Sequence, residues 1–332
     1  MKNKALIGTL IGLVVLVAGA LYFNGKKETT SPENKVVKVG ILQFVTHEAL
    51  DEIEKGIEDG LADAGYDGSN VKLTVLNAEG DQSKIQTMSK KLVSDKNDVV
   101  IGIATPAAQG LAAATLEIPV VMGAISDPIG AKLVKNLKKP EANITGVSNQ
   151  VPLKQTVELI QKITPNVKKV GVLYSSSEDN SVSQVKTFKE YAEAAGLTVE
   201  EFAVPSTNEI KTTVGVMAGK VDAIFVSQDN TIASAFPTVI SEATPAKIPV
   251  YSSVDTMVKQ GSIASVAQSQ YGLGTETAKI AVKLLAGKKV VDVPVNVVNT
   301  GIPTLNLQAA KDLGITIPSD LLDTADIAVK EK

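Results

Sequence analysis

Hydroxyls, amides and carboxylates gather in short stretches that each follow a β-branched apolar run. These stretches are Gln43-Phe44-Val45-Thr46-His47, Ala104-Thr105-Pro106, Ala124-Ile125-Ser126-Asp127-Pro128, Ser175-Ser176-Ser177-Glu178, Ser227-Gln228-Asp229-Asn230 and Ser252-Ser253-Val254-Asp255. In open α/β sheets a ligand sits beyond the carboxyl ends of the strands, where loops and helix N-termini converge. The chemistry on offer there is recognition. Thr105-Pro106 reads as an N-cap followed by Pro at the first helical position, which leaves backbone N–H groups free to hold an anion; Thr46 and Ser126 occupy equivalent places. Asp229 and Asp255 offer carboxylates to an ammonium group, with a solvated loop Asp as the plainer reading of each. Gln43, His47, Ser175, Ser176 and Asn230 add hydrogen-bonding groups, and Phe44 and Tyr174 add apolar faces for a ring or, equally, core.

Catalysis and metal binding find little support. The chain has one His, no Cys and no Trp, and its 33 basic residues are all Lys. A thiolate nucleophile, a Cys-based zinc site and a bidentate guanidinium clamp are excluded. His47 lacks the second His or Cys that a transition-metal site would need. Neither a Walker A pattern, a G-x-G-x-x-G after the first strand, nor a G-x-S-x-G elbow is present. No cofactor is expected. A net charge of -3 over 332 residues gives no basic field for nucleic acid.

The elements that position these loops are written twice. From Val36 the chain alternates short apolar runs (Val36 to Leu42, Val71 to Leu76, Val99 to Ile103) with amphipathic stretches such as Glu48 to Ala64, where Leu50, Ile53, Ile57 and Leu61 share a face. This alternation predicts doubly wound, mostly parallel sheets. Val167 to Leu173 restates the first run. Gly196 follows Gly171 by the interval at which Gly65 follows Gly40, Asp222-Ala223-Ile224 echoes Asp98-Val99-Val100, and Ile248-Pro249-Val250 echoes Ile118-Pro119-Val120. Two α/β lobes with a cleft between them are therefore expected. Lobe 1 is assigned 36–148 plus 254–290 and lobe 2 149–253 plus 291–327, with hinge crossovers near Ser148-Asn149, Ser253 and Val297.

Lys2 and Lys4 precede an uncharged apolar run from Ala5 to Phe23. At about 1.5 Å per residue it nearly matches a hydrocarbon core of about 30 Å. Residues 1–23 are read as a signal peptide or membrane anchor, and 24–35, with Ser31-Pro32, as a linker. An extracytoplasmic protein, tethered or secreted, is expected.

At Ile41 to Leu50, Ile103 to Leu111, Ile125 to Pro128, Ile144 to Ser148, Ser227 to Ile232 and Tyr271 to Lys283 the chain resembles the ABC transporter substrate-binding proteins of the type I periplasmic-binding fold. Among these it is most similar to members associated with tryptophan or other aromatic amino acids. The resemblance implies a monomer that traps a small molecule between two lobes joined by a three-strand hinge and delivers it to a membrane permease. It departs from that pattern in having no lipobox Cys and in carrying Ser269-Gln270 before Tyr271, where an acidic residue is common. A branched-chain amino acid or nucleoside as solute, and a sensory module of the same fold, are the alternatives. A repressor would need a basic helix-turn-helix where the apolar run stands.

Overall fold

The computed structural model describes residues 36–332. The expected export segment or anchor at 1–23 and the linker at 24–35 lie outside the described residues.

The first pass of the chain builds most of one lobe. It runs β1 (Val37–Gln43), α1 (Glu48–Asp63), β2 (Val71–Asn77), α2 (Gln82–Ser94), β3 (Val99–Ile103), α3 (Thr105–Ala114), β4 (Val120–Ile125) and β5 (Ile144–Asn149). The chain then crosses into the second lobe. There it forms α4 (Leu153–Ile163), β6 (Lys169–Ser175), α5 (Asp179–Ala194), β7 (Thr198–Val204) and α6 (Ile210–Ala218). It continues with β8 (Ala223–Val226), α7 (Asn230–Ser234), α8 (Phe236–Ala243), β9 (Val250–Ser252), α9 (Asp255–Lys259) and β10 (Ala264–Ala267). A return to lobe 1 supplies α10 (Gln270–Leu285) and β11 (Asn296–Val298). The last crossing adds β12 (Ile302–Asn306), α11 (Leu307–Leu313), α12 (Ser319–Leu322) and β13 (Asp326–Val329) to lobe 2.

The two sheets share one order over six strands, and lobe 2 adds β13 at its edge. Lobe 1 reads β11-β5-β4-β3-β1-β2, and lobe 2 reads β13-β12-β10-β9-β8-β6-β7. All pairings are parallel except β10 with β12, which is antiparallel. The repeated landmarks do the same work in each lobe. Asp98 accepts from the Lys38 N–H at 2.8 Å, and Asp222 from the Lys168 and Lys169 N–H groups at 2.9 and 2.8 Å. Each aspartate thereby fastens the start of its lobe's first strand to the neighbouring strand. Gly65 and Gly196, at φ 86° and 84°, end α1 and α5 in the left-handed conformation that glycine adopts freely. Central strands are buried on both faces, as five consecutive buried residues in β3 show. Each fully enclosed Ile or Leu there contributes about 1.5–3 kcal/mol.

Three crossovers join the lobes, as expected, but the predicted division shifts at two places. Residues 254–267 belong to lobe 2, because α9 packs on that sheet and β10 pairs with β9 and β12. Residues 291–298 belong to lobe 1, because β11 pairs with β5 and Thr145 Oγ1 donates to the Val293 carbonyl at 2.7 Å. The middle crossover lies at 267–270 rather than at Ser253. Gln268 ties all three together. From the middle crossover its Nε2 donates to the carbonyls of Gln150 and Val298, each at 3.0 Å, in the other two.

Candidate functional site

A small hollow of about 40 Å³ lies between the lobes. Lobe 1 lines it with His47, Ala49, Leu50 and Ile53 at the start of α1, with Ala104 and Thr105 at α3, with Ala124 and Ser126 after β4, and with Asn149 and Gln270 at two crossovers. Lobe 2 contributes Asn180, the run Gln228-Asp229-Asn230, Ala233, Val254 and Met257. Ala104 and Ala124 hold φ of 73° and 61°, a conformation L-residues adopt at a cost of order 1–3 kcal/mol. Both sit on the hollow's wall.

The lobes are closed on one another around this space. His47 Nε2 lies 3.3 Å from Asn230 Oδ1, and Asn149 Nδ2 donates to Gln228 Oε1 at 3.2 Å. On one rim Gln109 Nε2 donates to Asp179 at 2.9 Å, Ser183 Oγ to Asp127 at 2.7 Å, and Gln184 Nε2 to Ser126 Oγ at 3.2 Å. On the other, Lys259 of α9 reaches Glu48 and Glu52 of α1 at 3.1 and 3.3 Å. Ala49 of lobe 1 is buried in a lobe 2 core cluster beside Met257.

This rim ion pair carries a modest, salt-sensitive share of closure. Its groups are partly exposed, so each contact is worth about 0.2–1 kcal/mol. Lys259→Gln is expected to weaken ligand affinity about twofold to fivefold at low salt. The difference should vanish near 1 M salt, where the screening length is about 3 Å. Calorimetric titrations at two salt concentrations check this, and a salt-independent loss would show that Lys259 acts some other way.

Of the residues picked out in the sequence, His47, Thr105, Ser126, Asp229 and Asn230 line the hollow. Burial lowers the His47 pKa below its ordinary value, although the bond it donates to Asn230 and the nearby Asp51 oppose this. A neutral ring that donates from one nitrogen results. Thr105 is not the N-cap. That position falls to Ala104, and Thr105 and Pro106 open the helix, with no side-chain cap. Their turn still presents the unpaired N–H groups of a helix start.

The other seven are not among the lining residues. Gln43 is buried, and its Nε2 donates to the Val45 carbonyl and to Asp51. Phe44 belongs to the lobe 1 core, so it cannot face a ligand ring. Thr46 is exposed and accepts from Asn77 Nδ2. Tyr174 is half-buried against the lobe 2 core and does not line the hollow. Ser175 is buried; its N–H donates to Asp229 and its hydroxyl pairs with Ser177. Ser176 is exposed beside the Val204 carbonyl. Asp255 starts α9 near Glu52 and Lys259 at the rim, and burial followed by the Glu52 charge raises its pKa. It is not among the residues that line the hollow.

Sequence reasoning missed Asn180 and Met257, took Asn149 only for a hinge crossover, and did not single out Gln228, Val254 or, behind them, Glu178 within the loops it named. Glu178 is fully buried. Its carboxylate accepts from the Thr231 N–H and hydroxyl, both at 2.8 Å, and from the N–H and side-chain amide of Asn230. Asp229, also buried, accepts from Ser175 and Ile232 N–H groups. Burial, then the neighbouring Glu178 charge, pushes its pKa up to about 8. The apolar lining is aliphatic: Leu50, Ile53, Val254 and Met257 lead it, and no aromatic side chain lines the hollow among the described residues.

Paired doubly wound lobes, three crossovers and a hollow lined from both lobes define a two-lobed binding protein of the type I periplasmic-binding fold. The chain belongs to the ABC transporter substrate binding protein family, whose description matches residues 38–329. It is 59% identical to an ABC domain from Streptococcus pneumoniae solved in complex with L-Trp. The match covers 88% of this chain and 99% of that one, with a TM-score of 0.86. A conserved domain protein from Vibrio cholerae is 38% identical over 88% of this chain and 99% of its own, with a TM-score of 0.87. The tyrosine-binding protein of Clostridioides difficile is 36% identical over 304 residues, 89% of this chain and 88% of that protein. The family is one of solute-binding proteins, not enzymes.

Proposed function

We propose that this protein is the extracytoplasmic receptor of an ABC importer and captures an aromatic amino acid, tryptophan first, by closing two lobes around it. The observation that carries this reading is the 59% identity to a chain solved with L-Trp, joined to a hollow that both lobes line. Tyrosine is the second candidate, on the strength of the tyrosine-binding relative. Because contacts come from both lobes, the ligand binds the closed form better and shifts the hinge equilibrium toward it. Thr105 at the start of α3 and Ser126 suit the carboxylate; Leu50, Ile53, Val254 and Met257 suit the ring by burial rather than by stacking. The apolar run from Ala5 to Phe23 supports a tether at the outer membrane face, and a monomer handing its ligand to a permease completes the reading.

Calorimetry against L-Trp, L-Tyr, L-Phe, L-Leu and a nucleoside tests it. Binding of one aromatic amino acid per chain with a micromolar or tighter Kd, about -8 kcal/mol or better, is expected. A protein that binds none of the three aromatic amino acids is not what we describe.

A further inference from the structure

We infer that Asn149 and Asn180, backed by the buried Glu178–Asp229 pair, form the subsite that reads a ligand's ammonium group. This rests on the amino acid reading above and assigns a part of the hollow that the sequence left blank.

Asn149 and Asn180 line the hollow and are only 3% and 5% exposed. Each spends its amide N–H on Gln228: Asn149 Nδ2 donates to the side-chain oxygen at 3.2 Å and Asn180 Nδ2 to the backbone carbonyl at 2.9 Å. A backbone carbonyl only accepts, so the orientation of Asn180 is fixed. Each Oδ1 is then left buried with no hydrogen-bond partner. Buried acceptors rarely stay unmatched. Two of them on one hollow call for a group that carries several donors.

The charge around them selects which donor group. Glu178 and Asp229 are 0% and 1% exposed, and the bonds named for them come from neutral N–H and O–H groups. The end of the hollow lined by Asp229 is thus rich in acceptors, with the Glu178 carboxylate behind it as the source of negative charge. An ammonium brings three donors and the opposite charge; a hydroxyl brings one donor and no charge. Asn149 also ends β5 at the first crossover, and its Gln228 partner belongs to the other lobe. A ligand amine held there touches the hinge strand and lobe 2 together.

Pairs of ligands that differ only in the amine test the assignment: L-Trp with indole-3-propionate, and L-Leu with 4-methylpentanoate, titrated calorimetrically. The wild-type protein should bind the amine-bearing member at least 100-fold tighter, since a site built for a donor rejects the analogue that lacks it. Asn180→Leu, which removes the acceptor, should weaken the amine-bearing ligand at least tenfold and leave the deaminated one unchanged. Asn180→Asp, which keeps an acceptor, should retain the preference, and guards against a leucine variant that does not fold. Equal affinity for both members in the wild type, or equal weakening of both in Asn180→Leu, overturns the inference. A wild type that takes L-Leu but no aromatic amino acid, and still refuses 4-methylpentanoate, overturns the aromatic reading while supporting this one. Binding of no amino acid at all overturns both.

Discussion

Replacement of Glu178 by alanine is expected to cost several kcal/mol of stability, since each buried donor left without an acceptor costs about 1–3 kcal/mol. The side chain is fully buried, and truncation strands the Thr231 N–H and hydroxyl and both Asn230 donors without an acceptor. An opposing effect exists. Glu178 sits beside Asp229, and its charge is the second cause, after burial, of the raised Asp229 pKa. Relief of that repulsion is smaller than the loss of donors, because burial leads the shift and persists. Glu178→Gln separates the two: it keeps one acceptor oxygen, removes the charge, and should cost only about 1–3 kcal/mol. Urea denaturation measures both variants. A loss under 1 kcal/mol for the alanine variant would contradict this account. The pH dependence supplies a further sign. Asp229 has a folded-state pKa raised toward about 8, so the fold holds a proton that the unfolded chain has shed. Its contribution to stability is full below the ordinary carboxylate range and fades as pH rises toward 8. That decline should be shallower in Glu178→Gln.

The same region shows what the sequence could and could not disclose. The duplicated Gly and Asp landmarks were legible because each fixes backbone geometry locally: Gly65 and Gly196 stop a helix, and Asp98 and Asp222 pin a strand start. Residues placed by backbone alone, such as Thr105, Ser126 and Asp229 just past strand ends, were found for that reason. Phe44 follows β1 and Tyr174 stands next to the end of β6, but both pack against the cores of their lobes. Residue type suggested a ring-facing role that core packing overruled. Asn149 and Asn180 were invisible because their significance is a missing partner, and a missing partner exists only once distant neighbours are placed. Glu178 read as one polar residue in a serine-rich loop, yet its donors stand 52 and 53 positions along the chain. The lobe boundary failed at 254 for a related reason. Ser252-Ser253-Val254 resembles a crossover in composition, and only the pairing of β10 with β9 shows that the chain stays in lobe 2.

A second large effect is expected from Gly274→Ala, and here two physical terms oppose each other. Gly274 lies inside α10, where exchanging glycine for alanine ordinarily gains about 1 kcal/mol from helix propensity. At this position a methyl group would stand 2.2 Å from the Ile53 carbonyl oxygen and 2.9 Å from the Gly56 Cα, both in α1. Gly56 makes the reciprocal approach, its missing methyl 2.2 Å from the Tyr271 carbonyl. These are backbone atoms, so no rotamer change relieves the contact and the two helices must separate. Overpacking of this kind costs about 1–3 kcal/mol and occasionally more, so a net loss is expected. Gly215→Ala in α6 is the control, since a methyl there meets nothing within 4 Å. It should stabilise by up to about 1 kcal/mol, giving one chemical change with opposite signs. For a chain of this size 1 kcal/mol moves Tm by roughly 2–4 °C or somewhat less, which thermal scanning resolves. The separation should also reach function. Leu50 and Ile53 of α1 and Gln270 of α10 line the hollow, so spreading the helices displaces its apolar wall. Gly274→Ala should therefore weaken ligand binding while Gly215→Ala leaves it unchanged, and a Gly274→Ala protein with raised Tm and intact affinity would refute the close approach of α1 and α10.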